Sequence, residues 1–221
     1  MTMPAAESTS DSETVDDPGA AARGAVYGTL ARLFEEPNED LYQVLDDGSL
    51  AADFETLVDR AGLDVDVPPL ETRDDYDLLC ARFNDVFAIG YPDPPVPLYE
   101  SEYVGDGNWS EVNLDLARAY DFFGVAVDDD EREHHDHVQL ELEFAGYLAR
   151  LAAATGDDGS RRARRDFLDR HLATLVEGVA DAVDDEAETG VYGEVVAFAR
   201  SFVAADRDDL TARLDEEVST P

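Results

Sequence analysis

The stretch that most constrains the fold runs from Glu131 to Leu151 and reads E-R-E-H-H-D-H-V-Q-L-E-L-E-F-A-G-Y-L-A-R-L. At roughly 100° per residue, its apolar side chains cover more than half of a helix circumference and leave a narrow polar side. Such a helix is typical of the centre of a helical protein, where neighbours pack on several of its sides. The pattern therefore predicts a central helix here.

Two ionisable side chains, His137 and Glu141, fall within this apolar arc, one helical turn apart. A buried carboxylate carries a desolvation cost of several kcal/mol unless it is paired or protonated. His137 is the obvious partner for Glu141, because side chains four residues apart meet on a helix surface. We therefore expect the functional site to lie at this helix.

Helical periodicity recurs along the rest of the chain, and Gly, Pro and Asp separate the periodic segments. The predicted helices cover about 21–34, 38–47, 50–61, 71–88, 111–123, 131–155, 161–183 and 191–203, followed by a short acidic helix. This pattern predicts an all-α, single-domain bundle of roughly eight to ten helices over residues 21–221. Residues 1–20 contain almost nothing apolar and are predicted to form a disordered acidic tail.

The charge is extreme, with 53 acidic residues against 16 basic ones and a formal net charge of −37. All the basic residues are arginine, and the acidity is spread along the chain. We interpret this composition as adaptation to concentrated intracellular salt, as in a halophile, because salt screens the repulsion. An acidic regulator that binds a basic protein is the alternative, whereas nucleic-acid binding is disfavoured because phosphate contacts need clustered cations.

No run of about 18 apolar residues exists, which predicts no membrane span. The start of the sequence also lacks a basic region followed by an apolar one, so we expect no secretory signal and a cytoplasmic location. Arg161, Arg162, Arg164 and Arg165 form the one basic cluster of the sequence, R-R-A-R-R. Nearby carboxylates could neutralise it, or it could bind phosphate or an acidic partner.

The loop after the predicted helix 71–88 reads I-G-Y-P-D-P-P-V-P-L-Y-E-S-E-Y-V-G-D-G-N-W and is rich in proline. Proline pre-sets an extended backbone that is neither helix nor central strand. One interpretation is a rigid connector whose aromatic residues cap the core. The other is that Tyr91, Tyr99, Tyr103 and Trp109 line a groove for a peptide, with Glu100 and Glu102 attracting a basic partner.

The cluster His134, His135 and His137 offers metal-ligand side chains, so a metal-binding enzyme is a rival hypothesis. Adjacent histidines on a helix point in different directions, however, and a di-iron bundle needs a second ligand motif on another helix. No phosphate-binding loop, dinucleotide fingerprint or nucleophile motif is present. We therefore expect no catalytic residue, no resident metal and no cofactor.

Three stretches resemble the TorD/DmsD/NarJ family, the cytoplasmic maturation chaperones of molybdenum-cofactor oxidoreductases. L-A-R-L-F-E-E-P-N-E-D-L-Y (Leu30 to Tyr42) resembles the family's opening helix pair, and P-P-V-P-L-Y-E-S-E-Y (Pro94 to Tyr103) resembles its proline-rich loop. D-H-V-Q-L-E-L-E-F (Asp136 to Phe144) is similar to its most diagnostic string, D-H-x-x-x-E-L-x-F. The resemblance covers about residues 21–210.

The resemblance implies an all-helical monomer or homodimer that is not an enzyme. Its partners would be the cofactor-free catalytic subunit of a molybdopterin oxidoreductase (dimethyl sulfoxide, trimethylamine oxide or nitrate reductase type) and its twin-arginine leader peptide. The chaperone would assist cofactor insertion and delay export. Combined with the residue chemistry, it gives one expected binding site: Pro97, Tyr99, Glu100, Ser101, Tyr103, Asp136, His137, Glu141 and Phe144.

Overall fold

A computed structural model describes residues 17–105, 109–127 and 134–219. The regular secondary structure of the described part is helical, and its α-helices are α1 (Pro18–Leu33), α2 (Glu39–Asp46), α3 (Ser49–Ala61), α4 (Tyr76–Phe83), α5 (Trp109–Phe122), α6 (Val138–Thr155), α7 (Asp158–Phe167), α8 (Ala173–Asp184) and α9 (Val191–Ser219). Asn84–Ala88 extends α4 as a π-helix, Leu168–Leu172 joins α7 to α8 in the same way, and Glu100–Glu102 forms a 3₁₀ turn. The all-α prediction is confirmed.

Local capping chemistry sets most helix starts. The side chains of Asp17, Asn38, Asp75 and Asp157 each accept a hydrogen bond from a backbone N–H in the first turn of the following helix. Such a cap satisfies one of the four N–H groups that a helix start leaves free. Gly124 follows α5 with φ +69°, a left-handed conformation that glycine adopts without a steric cost.

The core forms around α6, which packs against α1 and α7, while α1 also packs on α3 and α8 packs on α9. Gly24 of α1 and Gly146 of α6 face each other: a Cβ atom added at Gly24 would lie 3.0 Å from the carbonyl oxygen of Gly146. The absence of side chains there lets the two helices cross closely. The prediction of a central helix packed on several sides is confirmed.

Several boundaries differ from the sequence prediction. Residues 71–75 are not helical, because the backbone N–H groups of Leu70 and Thr72 bond to Glu194 and to the carbonyl of Leu45 instead. The predicted short acidic helix at the end of the chain is wrong, since α9 runs unbroken to Ser219. Helix α1 begins at Pro18, and the rest of the predicted acidic tail, residues 1–16, lies outside the described residues.

Candidate functional site

The proline-rich loop is attached to the start of α6 and to the segment before it by backbone hydrogen bonds. The N–H of Val138 donates to the carbonyl oxygen of Leu98 at 2.9 Å, and the N–H of Glu100 donates to that of Asp136, also at 2.9 Å. These bonds hold loop 97–103 beside the start of α6. Because the two segments are distant in sequence, only the tertiary structure brings them together.

His137 is the N-cap of α6 and lies outside the helix, with φ −80° and ψ 137°. Its Nδ1 accepts the N–H of Gln139 at 3.1 Å, and its backbone forms an isolated antiparallel bridge with Tyr99. The predicted start of this helix at Glu131 is therefore wrong for residues 134–137, which are not helical. The backbone N–H of Glu141 donates to the carbonyl oxygen of His137 at 3.1 Å, but neither carboxyl oxygen of Glu141 accepts a hydrogen bond from His137, so the predicted side-chain pair is wrong.

A buried cluster of three carboxyl groups lies beneath the loop. We call Glu100, Asp136 and Glu141 the carboxyl cluster; their exposed fractions are 1%, 0% and 0%. The N–H of Ser101 donates to Oδ2 of Asp136 at 3.0 Å. Within the described part of the chain, no donor reaches Oδ1 of Asp136 or either oxygen of an ionised Glu141.

The pKa of Glu141 is raised well above its ordinary value, chiefly because burial disfavours the charged form. The negative charges of Glu100 and Asp136 raise this pKa further, and so does a hydrogen bond to Glu100, which a protonated Glu141 can donate. The sequence allows this carboxyl to be buried either in an ion pair or in its protonated form. The structure therefore supports the protonated form.

His171 closes the cluster on its other side. Its Nδ1 lies 2.9 Å from Oε2 of Glu100, and its Nε2 lies 3.2 Å from Oδ2 of Asp115 on α5. Asp115 is also paired with Arg170. The imidazole thus links the loop to α5 through two carboxylates, a role that the sequence did not reveal because all three groups come from different segments.

Tyr120 of α5 covers the cluster from a third direction. Its hydroxyl donates to the carbonyl oxygen of His135 at 3.1 Å, and its ring contacts Phe144 with centroids 4.7 Å apart. Burial first, then the charges of Glu141 and Glu100, raise the pKa of Tyr120 well above its ordinary value. Tyr120 therefore stays neutral and donates a hydrogen bond.

Above the buried cluster, Tyr99, His134 and Trp109 form a partly exposed aromatic patch. The ring of His134 lies 5.8 Å from that of Tyr99 and 5.3 Å from that of Trp109. Tyr99 is 36% exposed and Trp109 is 50% exposed. Aromatic surface of this kind offers large contact area at low conformational-entropy cost.

Two other tyrosines of the proline-rich loop do not take the positions that the peptide-groove interpretation predicted. Tyr91 is 99% exposed, so it lines no groove in this conformation. Tyr103 turns inward: its hydroxyl donates to the carbonyl oxygen of Pro97 at 2.7 Å, and its ring lies directly over Gly178 of α8. Tyr103 therefore anchors the loop to α8.

The structure brings the nine predicted site residues into one region, in two layers. Pro97, Tyr99, Ser101 and Tyr103 are at least partly accessible to solvent, whereas the other five are buried: Glu100, Asp136, His137, Glu141 and Phe144. A bound partner would meet the first group directly. The buried layer instead positions the loop from below.

The rival metal site is not assembled. The rings of His134 and His137 both pack against Tyr99, whereas the ring of His135 packs against Tyr120. In residues 17–105, 109–127 and 134–219, no group of three or more histidine, cysteine, aspartate or glutamate side chains could hold a metal ion. The aromatic contacts account for the positions of these histidines.

The basic cluster is largely neutralised, as one of its two interpretations predicted. Arginines of the cluster pair with aspartates at 2.6, 3.1 and 2.6 Å: Arg161 with Asp158, Arg164 with Asp206, and Arg165 with Asp166. The fourth, Arg162, is exposed and forms no ion pair with another described residue.

The described part of the chain is thus an all-α fold in which a proline-rich loop docks on the start of the central helix. The chain belongs to the family described as nitrate reductase delta subunit, whose model matches residues 45–181. This result confirms the family resemblance seen in the sequence.

Curated relatives carry chaperone names. The chain is 33% identical over 164 residues to the selenate reductase assembly chaperone protein of Thauera selenatis, covering 72% of this chain and 74% of the relative. It is 28% identical to the perchlorate reductase assembly chaperone protein of Dechloromonas aromatica, covering 88% and 92% of the two chains. The chaperone protein TorD of Vibrio cholerae is 25% identical, with 88% and 94% covered. No described helix is long and apolar enough to cross a membrane.

Proposed function

We propose that this protein is a system-specific chaperone, not an enzyme, for the catalytic subunit of a molybdopterin oxidoreductase. The observation that carries the proposal is that relatives matching most of this chain are named assembly chaperones of oxyanion reductases or TorD. The chaperone would hold the cofactor-free subunit in the cytoplasm until the cofactor is inserted.

We further propose that the binding site is loop 97–103 together with the aromatic patch, and that it holds the client's twin-arginine leader. A leader of this kind combines a cationic end with an apolar segment. The aromatic patch supplies apolar contact, and the net charge of −37 attracts cations over the whole surface. The support is chemical complementarity between the exposed layer of the site and such a peptide.

The first test is a pull-down from cytosol at molar salt, with captured proteins identified by mass spectrometry. High salt removes non-specific attraction to the acidic surface, because screening acts within a few ångströms. Capture of one molybdopterin-type subunit with a twin-arginine leader supports the proposal. Association that disappears at molar salt would favour the acidic-regulator alternative.

A matched pair of tyrosines then tests the site. Tyr99→Ala removes a ring of the aromatic patch. Tyr91→Ala removes a ring of the same proline-rich loop that is 99% exposed and lies outside residues 97–103. With a synthetic leader peptide of the captured client, we expect Tyr99→Ala to weaken binding about tenfold or more, the loss typical of a contact residue worth at least 1.4 kcal/mol. Tyr91→Ala should stay within about twofold of the wild type. Equal effects of both variants would remove the patch from the site.

A further inference from the structure

Loop 97–103 is fastened directly above the carboxyl cluster. Besides its two backbone bonds to the start of α6 and to the segment before it, the loop donates the N–H of Ser101 to Oδ2 of Asp136. It also contributes Glu100 itself to the cluster, where this side chain lies between Glu141 and His171. Any change in the charge of the cluster therefore acts on the groups that hold the loop.

A proton in the cluster lowers the negative charge that the site must bury. Three ionised carboxylates would place three negative charges together in a site closed to water. Each buried charge costs several kcal/mol to desolvate, and like charges repel strongly there. A proton on Glu141 removes one charge and supplies the donor that its side chain otherwise lacks, with Glu100 as the acceptor.

We propose that the carboxyl cluster is a proton-dependent latch, in which a proton shared by Glu141 and Glu100 keeps loop 97–103 docked on the start of α6. Loss of this proton leaves Glu100 and Asp136 facing a third negative charge, and the loop is released. Release exposes two carboxylates and the backbone groups of the loop beside the aromatic patch. The consequence for client binding rests on the proposed function, whereas the latch itself does not.

Each element that packs around Glu141 places an ionisable side chain near its carboxyl group. Glu100 faces it from the loop, Asp136 from the segment before α6, and Tyr120 from α5; His171 and Asp115 lie behind Glu100. Among the described residues, no arginine is one of the groups that act on its pKa. These neighbours supply no positive charge to pair with Glu141, so its carboxyl group is neutralised by protonation.

The direction of the pH dependence follows from linkage. The open loop exposes Glu141 to water, where its pKa is that of an ordinary glutamate, and the closed loop raises this pKa. Between these two values, opening releases one proton, so the opening equilibrium increases about tenfold for each pH unit. Above the raised pKa both states are ionised, and the dependence levels off.

Amide hydrogen exchange at Glu100 and Val138 measures opening directly, because these N–H groups join the loop to the start of α6 and to the segment before it. From about pH 5 to about pH 9, we expect protection factors at these amides to fall about tenfold per unit before levelling off. Glu141→Gln keeps a donor toward Glu100 but cannot ionise, so its protection should not depend on pH. Glu143→Gln, two residues along and exposed, should follow the wild type.

The latch is overturned if Glu141→Gln follows the wild type, or if wild-type protection does not change over this range. An infrared spectrum of the wild type provides a test that needs no variant to fold. A protonated carboxyl band that titrates with the loss of protection supports the latch, and absence of such a band overturns it. Failure of the proposed function looks different: no leader peptide binds at any pH, whatever the exchange shows.

Discussion

Replacing Asp206 should be the most destabilising conservative substitution in the helical core, because this carboxylate joins three helices. Asp206 of α9 has no exposed surface and accepts from Arg23 of α1 at 2.8 Å and from Arg164 of α7 at 3.1 Å. The hydroxyl of Tyr27 donates to its other oxygen at 2.8 Å. Both arginines are at least 97% buried, with exposed fractions of 3% and 2%.

The expected loss follows from what Asp206→Asn leaves behind. Arg23 retains Asp209 and the carbonyl oxygen of Ala61, but among the described residues Arg164 has no second carboxylate. A buried charge that loses its partner costs about 3–5 kcal/mol. For a chain of this length each kcal/mol lowers Tm by about 2–4 °C, so we expect a decrease of about 6–20 °C.

Urea unfolding at constant salt measures the free energy directly, and Asp208→Asn is the matched control. Asp208 lies two residues along the same helix with a side chain 74% exposed, so its substitution should change stability by less than about 0.5 kcal/mol. Adding Arg164→Met to Asp206→Asn should recover part of the loss, since the unpaired charge is removed. The reasoning is refuted if Asp206→Asn stays within about 1 kcal/mol of the control.

Three further predictions concern packing and charge. Gly24→Ala should lower the free energy of unfolding in urea by about 1–3 kcal/mol, because its Cβ would lie 3.0 Å from the carbonyl oxygen of Gly146. The control Gly28→Ala, whose Cβ would lie 3.8 Å from its nearest atom, should stabilise the protein by up to about 1 kcal/mol. Equal effects of the two substitutions would contradict the close crossing of α1 and α6. Gly178→Ala places a Cβ 2.3 Å from the ring of Tyr103 and should displace this ring. The free energy of unfolding should fall by about 1–3 kcal/mol, and the NMR signals of the tyrosine ring should shift. Unchanged ring signals would contradict this contact. The charge of −37 should make the free energy of unfolding higher at about 2 M than at about 0.1 M potassium chloride, and a decrease would argue against the salt-adaptation interpretation.

The predictions made from the sequence were wrong where segments distant in the chain meet in the fold. The apolar pattern of α6 is continuous with the histidine-rich stretch before it, so periodicity extended the helix to Glu131. In the structure, Asp136 and His137 lie outside the helix and pair with Glu100 and Tyr99, which are 36 and 38 residues earlier. A single-sequence pattern contains no information about which extended segment lies beside which.

His171 illustrates the same limit at the site. Its position among apolar residues of an amphipathic helix predicts a buried side chain, and its exposed fraction is 8%. Its contacts with Glu100 and Asp115 depend on the packing of three segments far apart in sequence. Likewise, Glu141 was predicted to be buried, but its neighbours proved to be carboxyl groups rather than the histidine four residues before it.

By itself, the sequence determined the all-α class, the central helix and most helix starts, and it proposed a site whose residues the fold brings into one region. These features depend on local properties: the 3.6-residue period, capping side chains, proline and glycine. The tertiary structure alone decided that the proline-rich loop docks on the start of α6 and that three carboxyl groups share one dry site. Burial and proximity set these properties, because the charge state of a group depends on which segments exclude water from it.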